Sequence, residues 1–170
     1  AMAGWTLDSL DFVVYLMAIP SLQEHFGFGA ELSGLLATIT LVTSALGGIG
    51  LGYLSDRWGR ARTMLLSIAL FSFCALGTAT AQTLPQLIMW RALLGIGLGG
   101  EWATGATLVS ESWPAAHRGK AIGLMQSGWA LGYILAAILA GLVLPTLGWR
   151  WLFALVAPPA ILLLWMRRHI

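Results

Sequence analysis

Four ionisable side chains interrupt stretches of sequence that are otherwise almost free of charge: Asp8, Asp11, Arg91 and Glu101. Asp8 and Asp11 stand three apart, so on a helix they share one face. At about 1.5 Å per residue they lie roughly 8–12 Å above the start of such a helix. Glu101 falls at a similar depth when counted back from the end of its own stretch, and Arg91 lies further along that stretch, towards the opposite end. A charge in an apolar medium costs about 2.5 kcal/mol or more, so charges placed there point to function. Carboxyls crowded together away from water suit proton uptake near neutral pH. A guanidinium supplies a fixed positive charge that pairs with a carboxylate through two parallel hydrogen bonds. If the stretches holding Asp8 and Arg91 are neighbours, three carboxyls and one guanidinium line a single polar path. The alternative is an internal ion-pair network that only holds helices together. Trp102 and Trp129 fall in the same zone, where an indole either stacks on a substrate or packs helices.

The elements that must position these residues are legible from hydropathy. Charged residues are 9% of the 170-residue chain and hydrophobic residues 58%, against roughly a quarter charged in soluble domains. So few charges cannot cover a water-soluble surface, and the lipid bilayer is the expected solvent. Six stretches reach the roughly 20 residues a membrane helix needs: Ala3–Leu22, Leu32–Leu54, Thr63–Ala81, Leu84–Val109, Ala121–Leu144 and Gly148–Met166. Basic residues cluster between stretches 2 and 3 (Arg57, Arg60, Arg62), between 4 and 5 (Arg118, Lys120) and after 6 (Arg167, Arg168), while only Arg150 falls on the other side. This asymmetry predicts that both ends of the segment are cytoplasmic. Trp5, Trp58, Trp113 and Trp165 would mark the inner interface, and Trp90, Trp149 and Trp151 the outer one. The pairs Gly48/Gly52, Gly95/Gly99 and Gly128/Gly132 have the small-xxx-small spacing of close helix packing. Pro20, Pro85, Pro114 and Pro145 are expected at helix ends, and Pro158 and Pro159 inside the sixth helix.

The run Gly52-Tyr-Leu-Ser-Asp56-Arg57-Trp-Gly59-Arg60-Ala-Arg62 links stretches 2 and 3. Gly59 permits a tight turn there, and Asp56 can pair with nearby basic groups. Read by itself, the loop is either a basic topology signal or part of a moving latch. It resembles the signature of the major facilitator superfamily between helices 2 and 3. Further similarities follow in order. Arg91-Ala-Leu-Leu-Gly95-Ile-Gly97-Leu-Gly99 resembles the superfamily's helix 4 motif. Glu111-Ser-Trp-Pro114-Ala-Ala-His-Arg118-Gly119 resembles the loop after it, and Gly148-Trp149-Arg150 the start of helix 6. Within the superfamily, Gly4-Trp5-Thr6-Leu7-Asp8-Ser9-Leu10-Asp11-Phe12 and Gly100-Glu101-Trp102 are similar to the sialate/carboxylate:proton and aromatic acid:proton symporter groups. Ser9 stands where many of those relatives have glycine.

The resemblance implies an all-α, six-transmembrane-helix bundle, one half of a major facilitator fold built as a 3+3 inverted repeat. The chain is read as one domain, 1–170, whose carboxy-terminal half is missing or replaced by a second copy. It implies proton-coupled symport of a small organic acid by alternating access. Asp8, Asp11 and Glu101 would exchange the proton. Arg91, Trp102 and Trp129 would meet the substrate, and Gly52, Asp56, Arg57, Gly59, Arg60, Glu111 and Arg118 would form an inner latch. The expected partners are protons, a small-molecule substrate and the bilayer of the cell's inner membrane. Alternatives are a sugar or drug transporter of the same superfamily, or a non-transporting half-size membrane protein. A net charge of +2 gives no footprint for nucleic acid. His25, His117 and His169 have no second ligand at metal spacing, Cys74 sits in an apolar run as a packing residue, and no cofactor is expected. With no nucleophile beside a base, the chain does not read as an enzyme.

Overall fold

The computed structural model describes residues 2–157, and every described element is helical. In chain order these are α1 (Met2–Phe26), α2 (Ala30–Trp58), α3 (Arg60–Thr80), α4 (Leu84–Ser112) and α5 (Arg118–Val156). By length and composition α1, α2, α3 and α5 are apolar enough to cross a membrane. The α4 helix, with Arg91, Glu101 and a run of glycines, is shielded instead by neighbouring helices.

The fifth and sixth predicted stretches join across a one-residue break. Helix α5 continues through Pro145 and changes direction at Gly148, whose φ of 80° and ψ of 177° are essentially restricted to glycine. The break leaves no separate loop at 145–147. The second arm carries Phe153 to within 6.0 Å of the Arg91 guanidinium. The rest of the predicted sixth helix, with Pro158, Pro159, Trp165, Arg167, Arg168 and His169, lies outside the described residues. Pro20 also sits inside its helix, because α1 runs on to Phe26; proline is tolerated in membrane helices whose freed carbonyls find other partners. Pro85 opens α4, and Pro114 follows its end, as expected.

Two packs of helices make up the bundle. In one, α2 and α3 lie along α4; in the other, α1 lies along α5. Glycines set the first contact. A Cβ on Gly99 would come 1.8 Å from the Ser44 carbonyl oxygen, and one on Gly95 2.4 Å from that of Thr40. The opposing α2 glycine that must stay small is Gly47, 2.2 Å from the Ile96 oxygen, and not Gly52, whose Cβ would meet only Ala103 at 3.7 Å. Of the predicted pair, Gly48 does lie against Gly99, while the tightest α2 contact falls one residue earlier, at Gly47. In the second pack a Cβ on Gly132 would come 2.2 Å from the Thr6 oxygen, and Ser9 Oγ donates to the Trp129 carbonyl at 2.7 Å. Apolar side chains fill the centre, among them Val14, Leu22, Phe71, Leu87, Leu94, Leu152 and Phe153. Where the two packs meet, α1 and α4 bring few backbone atoms together. Polar and aromatic side chains fill that seam.

Candidate functional site

The seam holds all four intramembrane charges, each buried. Arg91 Nη1 donates to Asp11 Oδ2 at 2.9 Å. The guanidinium also lies 4.3 Å over the Tyr15 ring, a cation–π contact that adds to the ion pair. Tyr15 is fixed in turn by its hydroxyl, which donates to the Ser33 carbonyl at 2.9 Å. With 1% of its side chain exposed, Arg91 has no free face. The sequence left Arg91 as either an anchor for a substrate anion or a member of an internal ion pair; in this conformation the guanidinium is paired with Asp11, since burial demands a counter-charge close by.

Asp8 has a different partner. One turn before Asp11 on the same face of α1, its Oδ2 accepts from Trp102 Nε1 at 2.8 Å. The Glu101 carboxyl packs on the α1 backbone at Gly4, where any Cβ would overlap it. Neither Asp8 nor Glu101 has an ion-pair partner among the described residues. Asp8 Oδ1, Asp11 Oδ1, Glu101 Oε1, Arg91 Nε and Trp5 Nε1 are all buried without a hydrogen-bond partner there. Buried polar atoms are almost always satisfied, so five orphans in one seam set it apart from the apolar packing around it.

Next to Asp8 the aromatic side chains gather. Trp5, Trp102 and Trp129 form a triangle with ring centroids 5.3, 5.9 and 6.2 Å apart, and Phe12 joins Trp129 at 6.3 Å. Position near a terminus suggested Trp5 as an interface marker. The helix register instead turns it inward to the other two indoles, and only knowledge of which helices are neighbours would have found it.

At the end of the bundle where α2 meets α3, Gly59 adopts φ 93° and lets the chain turn in one residue. Arg60 sits at the centre. It pairs with Asp56 one turn back, donates to Ser55 Oγ at 2.7 Å and reaches Glu111 at the end of α4 at 3.2 Å. The Glu111 hydrogen bond, aided by Asp56, raises the Arg60 pKa and keeps the group charged. Arg57 instead stacks on Tyr53 at 4.6 Å. Among the described residues neither Arg57 nor Arg118 forms an ion pair, so the structure brings together Asp56, Arg60 and Glu111 but not the other two cations. At the opposite end Arg150 donates to the Ala81 carbonyl at 3.1 Å and meets His25 Nε2 at 3.2 Å. His25 is therefore a helix-end contact rather than a purely solvated group.

Comparison with known proteins agrees with the helical fold. A curated relative, a probable 4-methylmuconolactone transporter of Cupriavidus pinatubonensis, is 44% identical over 99% of this chain and 40% of its own length. The cis,cis-muconate transport protein of Acinetobacter baylyi is 33% identical over 95% of this chain and 39% of its own. Among solved structures, an inward-open form of the xylose transporter XylE from E. coli superposes with a TM-score of 0.86 at 25% identity, covering 99% of this chain and 46% of that one. The chain thus spans about two fifths of the length of the curated relatives it matches. The family model described as Major Facilitator Superfamily matches residues 2–169, and the chain belongs to that superfamily as part of an integral, multi-pass membrane protein.

Proposed function

We propose that the protein carrying this chain is a secondary transporter that moves a small organic acid together with protons by alternating access. One observation carries the reading: Asp8, one helical turn from the compensated Asp11–Arg91 pair, and Glu101 are buried with orphaned oxygens and form no side-chain ion pair among the described residues. A buried carboxylate without a counter-charge is costly, and a proton is the smallest partner that relieves it. Asp11 would exchange its proton against Arg91, and Asp8 and Glu101 against each other's surroundings. The names of the muconolactone and muconate relatives support an organic acid, the class that the sialate and aromatic acid symporter resemblance also implies. Arg60, held between Asp56 and Glu111, would be the centre of an inner latch that breaks as the molecule rocks. A carboxy-terminal half, or a second copy, would line the other side of the substrate path. Both ends of the segment would lie in the cytoplasm, in the inner membrane of the cell.

Uptake into proteoliposomes tests this, with benzoate, lactate, sialate and glucose offered with and without an inward proton gradient. Gradient-driven accumulation of one of the acids is expected. The xylose transporter likeness favours a second reading, a sugar carrier using the same protons, and accumulation of glucose alone would select it. Failure of every solute to move would leave the half-size, non-transporting alternative.

A further inference from the structure

Gly148-Trp149-Arg150 stands at the end of the bundle opposite the Arg60 tie, and the transport reading makes no use of it. The break at Gly148 makes Trp149 and Arg150 the first turn of the second arm of α5. A cation there faces the positive end of the helix dipole, so it needs specific partners. Arg150 has three, none of them a carboxylate. Its guanidinium lies 4.3 Å over the Trp149 ring, donates to the Ala81 carbonyl at 3.1 Å and meets His25 Nε2 at 3.2 Å. Ala81 ends α3, where carbonyls lack helical partners, and His25 stands in the last turn of α1. One side chain therefore ties α1 to α3, two helices with little backbone contact of their own.

The His25 contact fixes a protonation state. A guanidinium can only donate, so Nε2 of His25 must accept, and an imidazole with that nitrogen free is neutral. We propose that His25 and Arg150 form a pH-sensitive clasp, closed while the imidazole is neutral and released when Nε2 takes a proton. The proton occupies the lone pair that Arg150 used, and two positive groups then stand 3.2 Å apart. Histidine is the side chain that ordinarily changes charge between pH 5 and 8, while arginine keeps its charge throughout. The surroundings favour release. Glu24, with Ser21, His25 and Trp149, lines a cavity of about 380 Å³, so the imidazolium has a carboxylate beside it and room to turn. Glu31, in the first turn of α2, is exposed and forms no ion pair among the described residues. The ends of α3 and α4 add no charge here, Gln82 and Gln86 being neutral. The clasp stands on its own geometry; that it faces the acidic side of the membrane rests on the orientation and proton coupling proposed above. In that orientation, acid outside loosens the outer end of the bundle before any proton reaches the buried carboxyls.

The test reads how fast a cysteine at the clasp reacts. Ala81, whose carbonyl Arg150 holds, is 1% exposed. In a Cys74→Ala background, purified protein with Ala81→Cys is treated with dithiodipyridine, which reacts with thiols even in acid, at about pH 8 and about pH 5.5. Each rate is divided by that of the same protein carrying His25→Gln, which keeps an acceptor but takes no proton in this range. The division removes the thiol's own pH dependence. The ratio should be near one at the higher pH and rise about two- to fivefold at the lower, the scale of one exposed charged contact. With Arg150→Gln in both proteins it should stay near one throughout. A ratio that does not rise in acid, or a rise that survives Arg150→Gln, overturns the clasp. If Ala81→Cys does not fold, thermal unfolding decides: Arg150→Gln should lower Tm more at the higher pH than at the lower, and should do so equally at both once His25→Gln is present. The same loss at both pH values with His25 in place overturns the clasp. No step depends on transport, so failure here leaves the acid-transport reading standing, and failure of uptake leaves the clasp.

Discussion

Arg91 Nη1 and Asp11 Oδ2 lie 2.9 Å apart on helices from different packs, each side chain 1% exposed. Removing one member of such a pair strands a buried charge, whereas removing both does not. Arg91→Met should destabilise the purified protein by about 3–5 kcal/mol, and adding Asp11→Asn should recover most of that loss. Thermal unfolding of the wild type, the two single variants and the double variant in one detergent checks this. A double variant no more stable than Arg91→Met would mean that the pair is not the reason the arginine is tolerated.

The inner tie makes a second prediction. Ser55 is buried beneath Arg60, which bonds its hydroxyl. In a Cys74→Ala background, Ser55→Cys should react slowly with a membrane-impermeant maleimide from the inner side. Adding Glu111→Gln should speed that reaction severalfold, because Arg60 loses its hold on α4, while adding Arg118→Gln should leave it unchanged. Equal acceleration by both would remove Arg60 from the centre of the latch.

The glycine contacts separate two substitutions that look alike in sequence. Gly99→Ala places a methyl 1.8 Å from the Ser44 oxygen, while on Gly48 the nearest atom is 3.4 Å away. We expect Gly99→Ala to cost about 1–3 kcal/mol by forcing α2 and α4 apart. Gly48→Ala should change stability by about 0.5 kcal/mol or less. Parallel unfolding curves read the difference.

Gly148 offers a sharper backbone test. Its φ of 80° and ψ of 177° should make Gly148→Ala cost about 1–3 kcal/mol. Gly141→Ala, in the same helix with open space around it, should be neutral or slightly stabilising, since alanine favours helix. A similar loss at both positions would argue against the single-residue break.

Sidedness is tested by cysteines at Ala116 and Trp58 against one at Glu31, all exposed at opposite ends of the bundle. The first two should label from the cytoplasm and the third from outside. Outside labelling at Ala116 would invert the proposed orientation.

Much of this was legible in the residues. Hydropathy gave the membrane class and the bounds of the first four helices within a few residues, since bilayer thickness constrains span length so strongly. The four intramembrane charges stood out for the same reason. What composition could not supply was pairing across helices. Arg91 reads equally as an anion anchor or as a member of an internal ion pair until Asp11 is seen beside it, and Trp5 reads as an interface residue until α4 and α5 are packed beside it. Among the cations of the two inner loops, Arg57, Arg60 and Arg118 are equivalent by charge. Only the turn at Gly59 decides that Arg60 faces both Asp56 and Glu111.

The partners at the seam are far apart in the chain: 80 residues separate Asp11 from Arg91, and 94 separate Asp8 from Trp102. A ribosome adding about 5–20 residues per second needs roughly 4–16 s to make the first of these intervals. Through that time α1 must enter the membrane with two acidic side chains whose partners do not yet exist. The segment cannot settle as a finished, independent span. It must be inserted with its acids neutralised, or be held at the insertion machinery until α4 emerges. The acids of α1 thus gain their partners only once α4 has been made, which ties the completion of the first helix to the fourth.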